Sequence, residues 1–231
     1  MSSAASSSQP APLAPVVELM STYPGRWLIC GGWAVDAWLG RFTRSHGDID
    51  VMVFEDEQRL AFDQFAAWDM VAHDAIDPTA TTEPWAGRRL ELPAHVHARP
   101  KDAESPANLL RWVTPPYEQL RDDRNVEIIL NREEAGYWLL HEAAGVSRPW
   151  PECFAMTQWG FPAAVPEVLL FYKATAYWEE RNGKPRPHDQ QDFDALFPLL
   201  SPPAVAWLRE AIAAVVPAHP WLNVKNIVSG I

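Results

Sequence analysis

One run decides the fold: Trp27–Phe54, WLICGGWAVDAWLGRFTRSHGDIDVMVF. Trp27 to Cys30 reads as an apolar strand running into Gly31-Gly32, with a short helix expected from about Trp33 to Leu39. A turn rich in Arg, Ser, His and Gly then delivers a second strand that opens on Asp48-Ile49-Asp50. Glycines at a strand end keep side chains out of the way, so backbone N–H groups can approach a phosphate. The helix that starts there adds its positive N-terminal dipole. Side chains alternate along a strand, so Asp48 and Asp50 share one face, while Ile49, Val51 and Val53 point the other way into a core. Two strand rises put the aspartate Cα atoms roughly 7 Å apart, a spacing from which two carboxylates can converge on a hard divalent cation. Mg²⁺ takes one or two protein carboxylates and fills its shell with water and phosphate oxygens. Two such ions can stabilise both the attacking and the leaving oxygen of an in-line displacement. Taken singly, Gly-Gly is a turn and Asp-x-Asp a solvated strand edge. The joint order of strand, glycines, helix, basic turn and acidic strand is what points to phosphate chemistry.

These residues carry a resemblance. Gly31-Gly32-Trp33-Ala34-Val35-Asp36 and Thr43-Arg44-Ser45-His46-Gly47-Asp48-Ile49-Asp50 resemble the signature of the nucleotidyltransferase superfamily, closest to its aminoglycoside and lincosamide nucleotidyltransferase-like subgroup. More distant, polymerase-beta-like members have Gly-Ser where this chain has Gly-Gly; the lost hydroxyl is one phosphate contact fewer, while the backbone amides remain. The resemblance extends over roughly residues 15–222. It includes the strand around Glu127, where such enzymes place a third carboxylate. It also includes Pro166–Ala174, Arg186-Pro187-His188-Asp189, Asp192-Phe193, Trp207-Leu208 and His219-Pro220-Trp221. The family usually has Lys where this chain has His188, a change that would make any phosphate contact there weaker or pH-sensitive. The resemblance implies an α/β (α+β) fold: a nucleotidyltransferase-type mixed sheet flanked by helices, followed by a helical C-terminal region.

Composition sets the outer bounds. The chain has 231 residues, 48% hydrophobic and 21% charged, an ordinary globular balance. A net charge of −11 argues against non-specific binding of long nucleic acids, which needs a basic surface, and is compatible with a cationic small substrate. Two cysteines, Cys30 and Cys153, form no disulfide framework or zinc motif. The opening MSSAASSSQPAPLAP lacks the basic start and apolar core of a signal peptide and reads as a disordered leader, residues 1–12. With no apolar run of membrane-spanning length, a cytoplasmic setting is expected. Most of the twelve tryptophans are expected in the core or lining a groove.

Along the rest of the chain, a helix is expected from Leu13 to Thr22. An amphipathic one is expected from Glu55 to Ala67, with Leu60, Phe62 and Phe65 inward. Strands are expected at Asp69–Ala72, Arg89–Leu92, His95–Ala98 and Asn125–Leu130, with turns at Asp77–Gly87 and a mouth-shaping loop or short helix at Pro100–Pro116. Helices follow at Pro166–Arg181, His188–Leu200 and Pro202–Val216. The last is capped by Ser201 and carries the stripe Val205, Leu208, Ile212 and Val215. A catalytic domain over 13–148 and a helical domain over 149–231 would leave a cleft between them, a common place for ligands.

The resemblance implies the following roles. Asp48, Asp50 and Glu127 hold one or two Mg²⁺ ions, with Glu127 as ligand, as general base or as both; Glu91 competes for the third position. Gly31 and Gly32 hold the triphosphate. Arg44 is the first candidate for a phosphate contact and Lys173 the second, against an ordinary exposed lysine. His46 either orients Asp48 or a phosphate, or packs. The co-substrate would be ATP or another NTP, and the acceptor a small hydroxylated, cationic molecule such as an aminoglycoside or lincosamide. The rival readings are a tRNA-directed nucleotidyltransferase toxin, a non-catalytic nucleotide-binding protein, and a zinc hydrolase built on His95 and His97, whose spacing can bind zinc but for which the sequence shows no third ligand. Oligomeric state is not readable.

Overall fold

The computed structural model describes residues 10–75, 84–101, 125–179 and 181–224. Residues 1–9 of the expected leader, most of the turn at 77–87 and nearly all of the loop at 100–116 lie outside these residues. The strands are β1 (Trp27–Ile29), β2 (Ile49–Phe54), β3 (Trp68–His73), β4 (His95–Pro100), β5 (Val126–Glu134), β6 (Tyr137–His141), β7 (Val146–Pro149), β8 (Phe154–Met156) and β9 (Pro162–Ala164). The helices are α1 (Ala14–Ser21), α2 (Gly31–Leu39), α3 (Gln58–Gln64), α4 (Pro166–Thr175), α5 (Pro187–Leu196) and α6 (Pro202–Val215). No described helix is long and apolar enough to cross a membrane.

The main path of the sheet runs β3-β4-β5-β2-β1-β9-β8, with β6 and β7 continuing from β5. β2 is antiparallel to β1 and parallel to β5; β1 is parallel to β9. The sheet is therefore mixed, as expected. β8 and β9 lie beyond residue 148, and the helical part proper begins at Pro166. β2 has neighbours on both sides and cover on both faces. Ile49, Val51, Val53, Met52 and Phe54 are all buried, which explains its near-continuous apolar run after Asp50. Each fully buried aliphatic side chain of this kind contributes roughly 1.5–3 kcal/mol.

Local signals set several helix ends. α2 stops at Gly40, whose φ of 67° is the left-handed cap glycine adopts easily. α6 starts with Ser201 Oγ accepting from the Ala204 N–H at 3.4 Å and buries Val205, Leu208, Ala211 and Ile212. α4 begins with proline in its first turn.

Three expectations are corrected. The helix after β2 opens with a 3₁₀ turn (Glu55–Glu57) before α3. That changes the phase, so Gln58, Ala61 and Phe65 face inward and Leu60 is 39% exposed. Arg89–Leu92 is not a strand; Leu90 is held by Gln58, which accepts from its N–H at 2.6 Å and donates to its carbonyl at 3.4 Å. The helix expected to reach Arg181 ends at Thr175, and Tyr177 takes a φ of 54°. Beyond the break, Trp178 packs on His219 at 4.4 Å and Arg181 reaches Asp189 at 3.3 Å, so tertiary contacts override the helical propensity of the run.

Candidate active site

The parallel register of β2 and β5 sets Asp50 opposite Glu127. Cross-strand partners project to the same face, and Asp48 shares that face by strand alternation. One carboxylate oxygen from each of Asp48, Asp50 and Glu127 lies within 4.8 Å of those of the other two. The residues predicted as the acidic centre are thus brought together. Glu91 is not among them: it is exposed, and its backbone N–H donates to Asp74 at 3.2 Å.

Electrostatics follow from the crowding. Removal from water, then the charge of Asp48, pushes Asp50 up to about 7, against the opposing pull of Lys173, Arg186 and Arg44. Removal from water, then Asp50 and Asp48, lifts Glu127 well above the usual carboxylate range. The same carboxylates, after burial, push the Cys30 thiol up, so that cysteine is no nucleophile. Three carboxylates that repel one another, with no nitrogen or sulfur donor in the set, match the all-oxygen ligand preference of a hard divalent cation.

The glycines gain a second explanation. Gly31, at φ 61°, opens α2, and a Cβ there would overlap the Asp50 carboxylate. A Cβ on Gly32 would press on His46 and Arg44. Glycine is needed so that the strand end can sit against the acidic centre and the basic turn, besides any room left for phosphate.

Comparisons with known proteins bear on the first part of the chain and on the fold. Residues 12–81, which span the glycines and the Asp48–Asp50 pair, match the family of aminoglycoside-2''-adenylyltransferase. The match is a similarity of this N-terminal segment to that family. The solution structure of the antibiotic-resistance factor ANT(2'')-Ia shares the fold at 13% identity, covering 88% of this chain and 90% of that one, with a TM-score of 0.53. The crystal structure of ANT(2")-Ia with adenylyl-2"-tobramycin does so at 13% identity, over 87% and 95%, with a TM-score of 0.52. The lincomycin-bound lincosamide adenylyltransferase LnuA aligns at 13% identity over 82% and 97%, with a TM-score of 0.49. No curated protein sequence matches the chain.

The basic turn is wired into the helical half. Arg44 Nη1 lies 3.1 Å from His46 Nδ1. Because arginine offers only donors, Nδ1 accepts. Nε2 then carries the proton and donates to Asp36 Oδ2 at 2.7 Å. Thr43 Oγ1 donates to the other oxygen of Asp36. His46 thus orients neither Asp48 nor a phosphate through its nitrogens; it fixes Arg44 while packing on Trp33 at 4.5 Å. Arg44 also pairs with Asp192 on α5 at 3.2 Å.

Lys173 is buried, not exposed. It pairs with Asp192 at 2.7 Å and Asp189 at 3.3 Å. Both predicted phosphate contacts therefore meet on Asp192, and the charge of both reaches Asp50. Buried Asp36 holds the basic turn through His46 and Thr43, and buried Asp192 pairs with Arg44 and Lys173, roles the sequence motifs do not display. His188, in the usual lysine position, is moved toward the neutral form by burial and by Arg186, Arg44 and Lys173, although Asp189 opposes this.

Proposed function

We propose that this chain transfers a nucleoside monophosphate, AMP from ATP, to a hydroxyl of a small polyhydroxylated cation of the aminoglycoside or lincosamide kind, with Mg²⁺. The observation that carries this reading is the cluster of Asp48, Asp50 and Glu127 beside the glycine-opened start of α2. The neighbours bind related molecules: adenylyl-2"-tobramycin in ANT(2")-Ia and lincomycin in LnuA. The net charge of −11 favours a cationic acceptor over a polynucleotide.

Held by these three carboxylates, Mg²⁺ would neutralise charge on the nucleotide phosphates and the departing pyrophosphate. The remaining work falls to the chain's own residues. The first turn of α2, opened by Gly31 and Gly32, presents N–H groups and the positive end of its dipole to an anion. Arg44 and Lys173, both anchored on Asp192, supply fixed positive charge next to the acidic centre, a preorganised arrangement for charge that grows in the transition state. A carboxylate with raised proton affinity is suited to accept a proton near neutral pH, which makes Glu127 the candidate base for the acceptor hydroxyl.

The test is pyrophosphate release from ATP, GTP, CTP and UTP with Mg²⁺ across a panel of aminoglycosides and lincosamides. Release that requires one acceptor and disappears in Asp48→Asn supports the reading. Release that is unchanged in Asp48→Asn overturns it.

A further inference from the structure

A second set of donor atoms lies on the same sheet, outside the roles assigned above. His95 and His97 share one face of β4, and the antiparallel register with β3 sets His73 opposite His95. One nitrogen from each of the three histidines lies within 4.8 Å of those of the other two. The rings crowd together, with centroids 4.9 Å apart for His73 and His95, 5.0 Å for His95 and His97, and 5.3 Å for His73 and His97. The sequence displays only the His95–His97 pair; the third member arrives by strand pairing.

The three imidazoles are each partly withdrawn from water. His73 Nε2 is buried and has no hydrogen-bond partner among the described residues, a situation that costs about 1–3 kcal/mol. Burial, then the neighbouring histidines, pushes His95 down to about 4 and His97 down to about 3; burial lowers His73 as well. The rings are thus neutral at physiological pH, the form that ligates metals. The set contains only imidazole nitrogens. Such a set suits zinc and its transition-metal neighbours, whereas Mg²⁺ seeks oxygen. Three protein ligands also match the number found where zinc keeps its fourth position open.

We propose that His73, His95 and His97 bind one divalent ion of the zinc class, leaving one coordination position for an oxygen ligand such as water or an acceptor hydroxyl. The site is distinct from the carboxylate centre but adjoins it. His97 pairs in register with Glu127 on β5, so both side chains occupy one face of the sheet.

The test is Co²⁺ titration of the full-length protein, with excess Mg²⁺ present to hold the carboxylates, read by visible absorption of tetrahedral cobalt. About one equivalent should bind. His95→Gln and His97→Gln should each weaken binding by at least ~10-fold, while Asp50→Asn should leave it unchanged. Absence of binding, or binding lost in Asp50→Asn and kept in the histidine variants, overturns the proposal. Should the variants fail to fold, side-chain ¹⁵N spectra of the unmutated protein with Zn²⁺ decide the matter: all three histidines must shift, and unshifted resonances overturn it.

Discussion

Asp50 and Asp189 are the same residue type in two opposite surroundings. Asp50, together with Asp48 and Glu127, stands among like charges and is pushed up to about 7. Asp189 is fully buried on α5, and burial alone would raise it. The Arg186 hydrogen bond at 2.6 Å and the charge of Lys173 win, and hold it below the usual range. Arg181 adds a third cation at 3.3 Å. The comparison separates two uses of a carboxylate. Around Asp189 the counter-charge comes from side chains, so the group is structural. Around Asp50 the nearby cations fall short, and the missing positive charge is left for something that binds.

The comparison can be broken by mutation. The largest effect is expected at the crowded centre. Asp50→Asn should cut turnover by about 10²–10⁴-fold, the worth of several kcal/mol of transition-state stabilisation. The metal-free protein should meanwhile melt at the same or a higher temperature, because one repelling charge is gone. A melting temperature that falls along with activity would make Asp50 a structural residue like Asp189.

Asp189→Ala should behave in the reverse manner. It removes the 3.3 Å partner of Lys173, whose 2.7 Å pair with Asp192 remains, and one partner each of Arg181 and Arg186; breaking buried ion pairs costs up to about 3–5 kcal/mol. Urea denaturation measures this; a loss under about 1 kcal/mol would show that the pairs contribute no more than surface salt bridges do.

A third buried ionisable group lies outside both clusters. His219 is fully buried, its Nδ1 accepts from the Trp221 N–H at 3.2 Å, and burial pushes it down to about 4. Its folded value lies below its unfolded one, near 6.5. The unfolded chain therefore binds the extra proton first, and stability is complete above about pH 6.5 and declines as pH falls toward 4. The loss should amount to about 3 kcal/mol by pH 4. Denaturation curves from pH 7.5 to 4 should flatten in His219→Gln relative to the parent; equal slopes would refute the assignment.

The smallest expected effect sharpens the role of the glycines. Gly31→Ala places a methyl against Asp50 at a positive φ, at a cost of about 1–3 kcal/mol, which is about 2–12 °C in melting temperature for a chain of this size. Activity should fall further than stability. Loss of stability alone would limit Gly31 to backbone geometry.

Much of this was legible in the sequence because short-range rules govern it. The strand–Gly-Gly–helix–acidic strand order is local, and the two-residue period sets Asp48 and Asp50 on one face. Ser201 caps α6, and prolines open α4, α5 and α6. The misses occur where partners distant in sequence take over. Leu60 turned outward because a 3₁₀ turn changed the helix phase, and α4 broke at Thr175 because Trp178 and Arg181 had contacts to make elsewhere. Lys173 could pass for a surface lysine until α5 brought Asp189 and Asp192 to it.

What the sequence determined by itself, then, is the acidic strand, the glycine turn before it and the resemblance they carry, since alternation and backbone freedom act within a few residues. Tertiary structure decided which distant groups complete each cluster. The parallel register of β2 and β5 sets Glu127 opposite Asp50, the antiparallel register of β3 and β4 adds His73 to His95 and His97, and the packing of α4 and α5 joins Arg44 and Lys173 on Asp192. Registers and helix contacts are settled by burial of the whole core, which no local stretch of sequence encodes.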